Sequence, residues 1–181
     1  MRKNFVVIGK SNTGKSGLMD EIVENKDLKP IGFRMHSISV DNEFKGYYME
    51  SLKDVEGYHN RVPVQTVLKS KHRINLTEVY DTFGVACLDD VLNLDKEEYD
   101  CVILDELGRG EAASEKFSDK IYEILDGDEM VFVLMKNVNN DVTSTIKKRN
   151  DVYLYDLDNM SQDEVYKDIL DKVDLCRRTA R

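Results

Sequence analysis

The sequence has no tryptophan, only two prolines and only three cysteines in 181 residues, and each shortage removes a class of protein. Cys87, Cys101 and Cys176 are odd in number and lack metal-ligand spacing, which excludes a disulfide framework and leaves reduced thiols filling apolar space. His36, His59 and His72 are equally scattered and read as ordinary surface or core residues. With so little proline, no low-complexity tract and no fixed-period repeat, nothing marks a linker, and the length suits one domain spanning residues 1–181. No apolar run approaches the roughly 20 residues of a membrane span. The run behind the basic start Met1-Arg2-Lys3 is Phe5–Ile8, too short for a signal peptide, so the expectation is a cytoplasmic protein without membrane contact. Basic charge is also short: the net charge is −9, which disfavours DNA or RNA backbone as a ligand but leaves room for a small anion in one local pocket. The tail Arg177-Arg178-Thr179-Ala180-Arg181 reads as a frayed end, and nothing in the chain identifies a protein partner.

What is present is an alternation. Short apolar runs at Phe5–Ile8, Cys101–Leu104, Val131–Met135 and Val152–Tyr155 look like buried parallel strands. Between them lie segments of helical period. Leu18, Met19, Ile22 and Val23 form one stripe; Phe117, Ile121, Ile124 and Leu125 form another, starting near Ser114 and stopping at Gly127. A third opens on the capping-box pattern Ser161-Gln162-Asp163-Glu164 and carries Val165, Ile169, Leu170 and Val173. Such a chain folds as an open α/β sheet. Ile31–Val40 and Phe44–Leu52, separated by the turn-prone Asp41-Asn42-Glu43, predict an inserted β-hairpin, and the polar stretch from Lys53 to Arg73 reads as a flap, irregular apart from Val62–Leu68.

The first run is followed by Gly9-Lys10-Ser11-Asn12-Thr13-Gly14-Lys15-Ser16, the P-loop pattern. Its small residues let consecutive backbone N–H groups turn inward on phosphates, and the helix that begins there adds its positive end. Gly9, Asn12, Thr13, Gly14 and Gly17 are candidates for that backbone cradle, with Gly14 making the close approach. Lys15 is placed to reach the β- and γ-phosphates, in binding and in catalysis, and the Ser16 hydroxyl to ligate Mg²⁺. Lys10 sits at a variable position and is expected to face solvent.

Cys101-Val102-Ile103-Leu104-Asp105-Glu106 has the form of a Walker B segment, an apolar strand delivering carboxylates at its carboxyl end, where α/β sheets bind ligands. Asp105 is the candidate Mg²⁺ ligand opposite Ser16. Glu106, one position on, is the candidate general base for an attacking water, the group that separates a hydrolase from a passive nucleotide clamp. Arg109, between Gly108 and Gly110, is a candidate for stabilising charge at the γ-phosphate.

Leu104-Asp105-Glu106-Leu107-Gly108-Arg109-Gly110-Glu111, followed by Ser114 and Phe117, resembles the small P-loop nucleoside-triphosphatase family first known from thermophilic archaea and bacteria, which has Asp-Glu-Ile-Gly, Glu, Ser and Phe at these offsets. The likeness extends over most of the chain: Ile31-Gly32-Phe33-Arg34 and Gly46-Tyr47-Tyr48 resemble its paired strands, Phe83-Gly84-Val85 its tyrosine-glycine-valine segment, and Ile146-Lys147-Lys148-Arg149 its basic stretch before the last strand. The resemblance implies a three-layer P-loop sandwich, a mostly parallel central sheet with an inserted hairpin. It also implies Mg²⁺-dependent hydrolysis of nucleoside 5′-triphosphates, ATP, GTP and others, to the diphosphate and phosphate. Two departures stand out. The family's Asn-Arg pair before the final helix is Ser161-Gln162 here, and of a basic segment after the penultimate strand only Lys136 remains.

Three rivals share the cradle. A switch GTPase fits Asp105-x-x-Gly108, but Lys136-Asn137-Val138-Asn139 lacks the Asp of a guanine-reading Asn-Lys-x-Asp segment. A nucleoside or nucleotide kinase usually carries several arginines on a lid, whereas only Arg109, Lys116 and Lys120 lie between Asp105 and Val131; its acceptor pocket could be built from the 31–80 region with Arg34 or Arg61. A non-catalytic adaptor would bind nucleotide without turnover.

Overall fold

A computed structural model describes residues 2–108, 110 and 113–179. In chain order the elements are β1 (Asn4–Gly9), α1 (Lys15–Asn25), β2 (Pro30–Val40), β3 (Glu43–Ser51), β4 (Arg61–Val67), β5 (Arg73–Asn75), a π-helical turn (Tyr80–Gly84) running into α2 (Val85–Asn93), β6 (Cys101–Leu107), α3 (Glu115–Asp126), β7 (Val131–Lys136), α4 (Asp141–Lys147), β8 (Val152–Asp156) and α5 (Gln162–Thr179). The eight strands form one sheet in the order β5-β4-β3-β2-β6-β7-β1-β8. Pairings from β2 to β8 are parallel; those joining β2, β3, β4 and β5 are antiparallel.

Successive side chains of a strand point to opposite faces, and β1 uses both. Phe5 and Val7 join Leu18, Met19 and Ile22 of α1 and Val165, Ile169 and Val173 of α5 on one face. Val6 and Ile8 join Leu88 of α2, Phe117 and Ile121 of α3, and Ile146 of α4 on the other. The result is three layers, with the apolar runs sandwiched between helices, which is why they show no polar alternation. All three cysteines are buried free thiols, and burial pushes Cys87 and Cys101 up to about 12.

The sequence-derived stops and starts hold where side chains make them. Ser114 caps α3 by accepting from Phe117 N at 3.1 Å, and Gly127 follows its last residue. Ser161 and Glu164 complete the reciprocal capping box ahead of α5. The hairpin turn is tighter than expected: Asp41 and Asn42 have φ of 52° and 63°, and Val40 pairs with Glu43, so a two-residue turn suffices and Glu43 belongs to the strand.

The stretch read as a flap is irregular outside β4, which covers most of Val62–Leu68 as expected, but it is packed onto the body of the protein. Val55 is buried, Tyr58 packs on Phe83 at 5.5 Å, and β4 and β5 extend the sheet. Pro63 lies in β4 beside a register shift on β3, where its missing N–H is tolerated. Gly46 of β3 has φ of 148°, and a Cβ there would lie 2.0 Å from the Gln65 carbonyl oxygen, so this pairing depends on glycine.

Candidate active site

The parallel strands bring the candidate residues to one edge. Gly9 ends β1 in register with Lys136 at the end of β7, and Asp105 near the end of β6 lies beside Leu134 of β7. The chain leaves β1, loops through residues 10–14 and enters α1 at Lys15. Asn12 and Gly14 make that loop's turns with φ of 64° and 83°. At Gly14 a side chain would also meet Gln162, with Nε2 2.0 Å from an added Cβ.

Lys15 is 6% exposed, and its ammonium donates to the Gly9 and Lys10 carbonyls at 3.0 and 2.7 Å. Burial pulls its pKa below the usual lysine value, against the pull of Glu106 and Asp105, so those two carboxylates act on the same ammonium. Ser16 Oγ donates to Asp105 Oδ2 at 3.3 Å. Asp105 is 2% exposed, and burial pushes its carboxyl up to about 6; Glu106 adds to the rise, while Arg34, the Ser16 hydrogen bond and Lys15 oppose it. Arg34 is itself held by Asp20 at 2.7 Å.

Asp105 and Glu106 are consecutive, so a regular strand would send them to opposite faces. Both nonetheless line one cavity of about 270 Å³ with Asn12, Thr13, Lys15 and Ser16. The register of β6 on β7 jumps between Asp105 and Leu107, and Glu106 has φ of 63°, which together mark a bulge. A non-glycine residue held there costs about 1–3 kcal/mol, and such strain gathers at functional sites. Lys136 fixes the bulged residue: its ammonium lies 3.0 Å from Glu106 Oε1 and 5.0 Å from the centre of the Tyr47 ring.

Of the residues singled out from the sequence, Asn12, Thr13, Gly14, Lys15, Ser16, Gly17, Asp105 and Glu106 line this cavity. Gly9 stands behind it, accepting from Lys15. Arg109 lies outside the described residues. Lys10 is exposed, its amide held by Asp158 at 3.0 Å. Arg61 is engaged by Glu50 at 2.6 Å and lines neither this cavity nor its neighbour.

Two further residues belong to the picture. Lys136 was visible in the sequence only as what remains of the family's basic segment after the penultimate strand, with no role attached to it. Gln162 Nε2 donates to the Thr13 carbonyl at 2.7 Å, so a position seen as a departure from the family pattern braces the loop from the start of α5.

Ser16 and Asp105 offer hard oxygen donors, and the buried carboxylate is costly to charge without a cation. That donor set fits Mg²⁺, which takes one or two protein oxygens and completes its shell with phosphate and water. Among the described residues no group of three His, Cys, Asp or Glu side chains builds an all-protein cage.

A protein-family model described as NTPase matches residues 4–170. The nucleoside-triphosphatase THEP1 of Thermotoga sp. (strain RQ2) is 25% identical over 170 residues, 92% of each chain. That of Methanothermobacter thermautotrophicus is 35% identical over 74 residues, 41% of each. Among solved structures, THEP1 from Aquifex aeolicus superposes with a TM-score of 0.71 at 19% identity, covering 94% of this chain and 98% of that one. A human cancer-related nucleoside triphosphatase gives 0.69 at 17%, covering both chains fully.

Proposed function

Because the chain belongs to the P-loop nucleoside-triphosphatase family, we propose that it hydrolyses nucleoside 5′-triphosphates to the diphosphate and phosphate with Mg²⁺ and little choice of base. The observation that carries this reading is the convergence of Lys15, Ser16, Asp105 and Glu106 on one cavity. The loop amides and the amino end of α1 bind the phosphates, and Lys15 reaches the β- and γ-oxygens. Ser16 and Asp105 hold Mg²⁺, which when bound neutralises phosphate charge and orients the triphosphate. Glu106 accepts the proton of the attacking water, and Lys136, through its 3.0 Å ion pair, is the residue that positions Glu106. Arg109 keeps the role its place in the sequence suggests, stabilising charge at the γ-phosphate. Weak base selectivity is supported by the family likeness and by the missing Asp in the segment after β7. One sheet joining strands from Asn4 to Asp156 supports treating the whole chain as one catalytic unit. No helix among the described residues is long and apolar enough to cross a membrane.

Phosphate release from ATP, GTP, CTP and UTP, each with Mg²⁺ and with EDTA, tests the reading. The expected result is four rates within about tenfold of one another, all lost on chelation. A preference for one base beyond about a hundredfold, or turnover undiminished by EDTA, would overturn it.

A further inference from the structure

Lys136 is 6% exposed, and an ammonium so far from water needs partners inside the protein. Its stem is fixed first: a Cβ at Gly108, whose φ is 139°, would lie 2.9 Å from Lys136 Cβ, so the chain leaving the Glu106 bulge passes close against it. The tip then has the Glu106 carboxylate at 3.0 Å and the face of the Tyr47 ring, whose centre lies at 5.0 Å. A ring face attracts a cation through its quadrupole, most strongly where water is excluded.

Tyr47 comes from far across the sheet. β2 and β6 lie between its strand and β7, so the contact spans three strand spacings, roughly 14 Å. It bridges β6, the strand that carries Glu106, from the antiparallel hairpin. A register shift marks each end: one on β6 at Glu106, the other on β3 between Tyr47 and Tyr48. Such shifts re-aim side chains beside active sites. Tyr47 and Glu106 both line the phosphate-loop cavity and its neighbour. The ring is itself held from outside, with Phe44 edge-on at 4.9 Å and Arg73 of β5 lying over Phe44 at 5.4 Å. Contacts thus run unbroken from the edge strand to the carboxylate, through Arg73, Phe44, Tyr47, Lys136 and Glu106.

We propose that Tyr47 is a positioning residue for hydrolysis: its ring holds the Lys136 ammonium, which in turn fixes Glu106 against the attacking water. The inference rests on the reading that Glu106 is the base. With an aliphatic side chain at position 47 the ammonium loses one of these two partners, and the carboxylate it holds can shift. A displacement of about 1 Å costs a positioned group on the order of a hundredfold in rate. The role is electrostatic and acts through one lysine, which separates it from packing.

The test measures phosphate release from ATP with Mg²⁺, and ATP affinity by calorimetric titration, in variants of the full chain. Tyr47→Leu is expected to lower kcat by about tenfold or more while affinity stays within about threefold of wild type. Tyr47→Phe keeps the ring face and should hold kcat within about threefold. Ring-fluorinated phenylalanines at the same position, similar in volume but with a weakened face, should lower kcat stepwise with fluorine number, and this series decides the matter even where Tyr47→Leu fails to fold. Lys136→Met is expected to slow turnover at least as much as Tyr47→Leu, and adding Tyr47→Leu to it to change nothing further. Tyr48→Leu, at the adjacent residue stacked on His36 at 4.9 Å, should leave kcat near wild type. A fluorinated series without slope, losses that multiply in the double variant, or an equal loss in Tyr48→Leu would overturn the role of Tyr47 alone. A measurable rate left unchanged by Glu106→Gln would overturn the base reading and this inference with it.

Discussion

On the parallel side of the sheet, β1, β6 and β7 end at one edge, and the proposed phosphate site is built around one continuous segment, the loop from Gly9 to Ser16 and the first turn of α1. On the antiparallel side, β3, β4 and β5 contribute residues from separate strands to a second cavity of about 260 Å³, Tyr47, Gln65 and Asn75 among them, brought together by strand pairing. A site built around one continuous segment needs particular residues at fixed spacing and so leaves a motif. A wall assembled from separate strands leaves none. Glu106 lines both.

The largest expected effect comes from that shared residue. Glu106→Gln keeps the shape and removes the base, so phosphate release should fall by about 10²–10⁴-fold with nucleotide affinity little changed. A measurable rate left unchanged in a phosphate-release assay would remove Glu106 as the base. Lys15→Met acts on the parallel side only: loss of charge-assisted hydrogen bonds to phosphate should weaken ATP binding by about a hundredfold, read by calorimetric titration.

The reverse lesion is Gly46→Ala. It forces a Cβ against the Gln65 carbonyl and a disfavoured φ, and should cost up to about 3 kcal/mol in urea unfolding while ATP affinity stays near wild type, since β1, the loop and α1 are untouched. Equal loss of ATP affinity would mean that the two sides are not separable.

A smaller effect separates stability from function within the phosphate site. The Asp105 carboxyl, pushed up to about 6 from 3.8, binds its proton more tightly in the folded chain than in the unfolded one. Stability therefore falls as pH rises from 3.8 to about 6, and above that the full burden of a buried carboxylate is present. Asp105→Asn removes it. In the absence of Mg²⁺ and nucleotide, this variant should be more stable than wild type by on the order of 2 kcal/mol at pH 7–8, with the gain vanishing below about pH 4. Thermal melts across that range check the sign.

The same division explains what could be read in advance. The P-loop, the Asp105-Glu106 pair, the three helical stripes and the caps at Ser114 and Ser161 were legible because each is a local pattern with a local cause. Within Lys53–Arg73 the regular stretch Val62–Leu68 was legible, but not its place in the sheet, because β4 is half-buried and contains a proline and finds its position only by pairing with β3. Helix α2 was missed because it is entered through a π-helical turn and has no cap of its own. That two successive carboxylates face one cavity could not be read from Asp-Glu, since the bulge responsible is a matter of register on β7. Gln162 was visible as a residue but not as a brace, its partner Thr13 lying 149 positions away.

The most direct measurement is ATP affinity with Mg²⁺ and with EDTA, for the wild-type chain and for Asp105→Asn. If Lys15, Ser16 and Asp105 converge on one metal-bound triphosphate, Mg²⁺ should tighten binding to the wild-type chain by about tenfold or more, and that gain should disappear in the variant. Equal tightening in both proteins would contradict it.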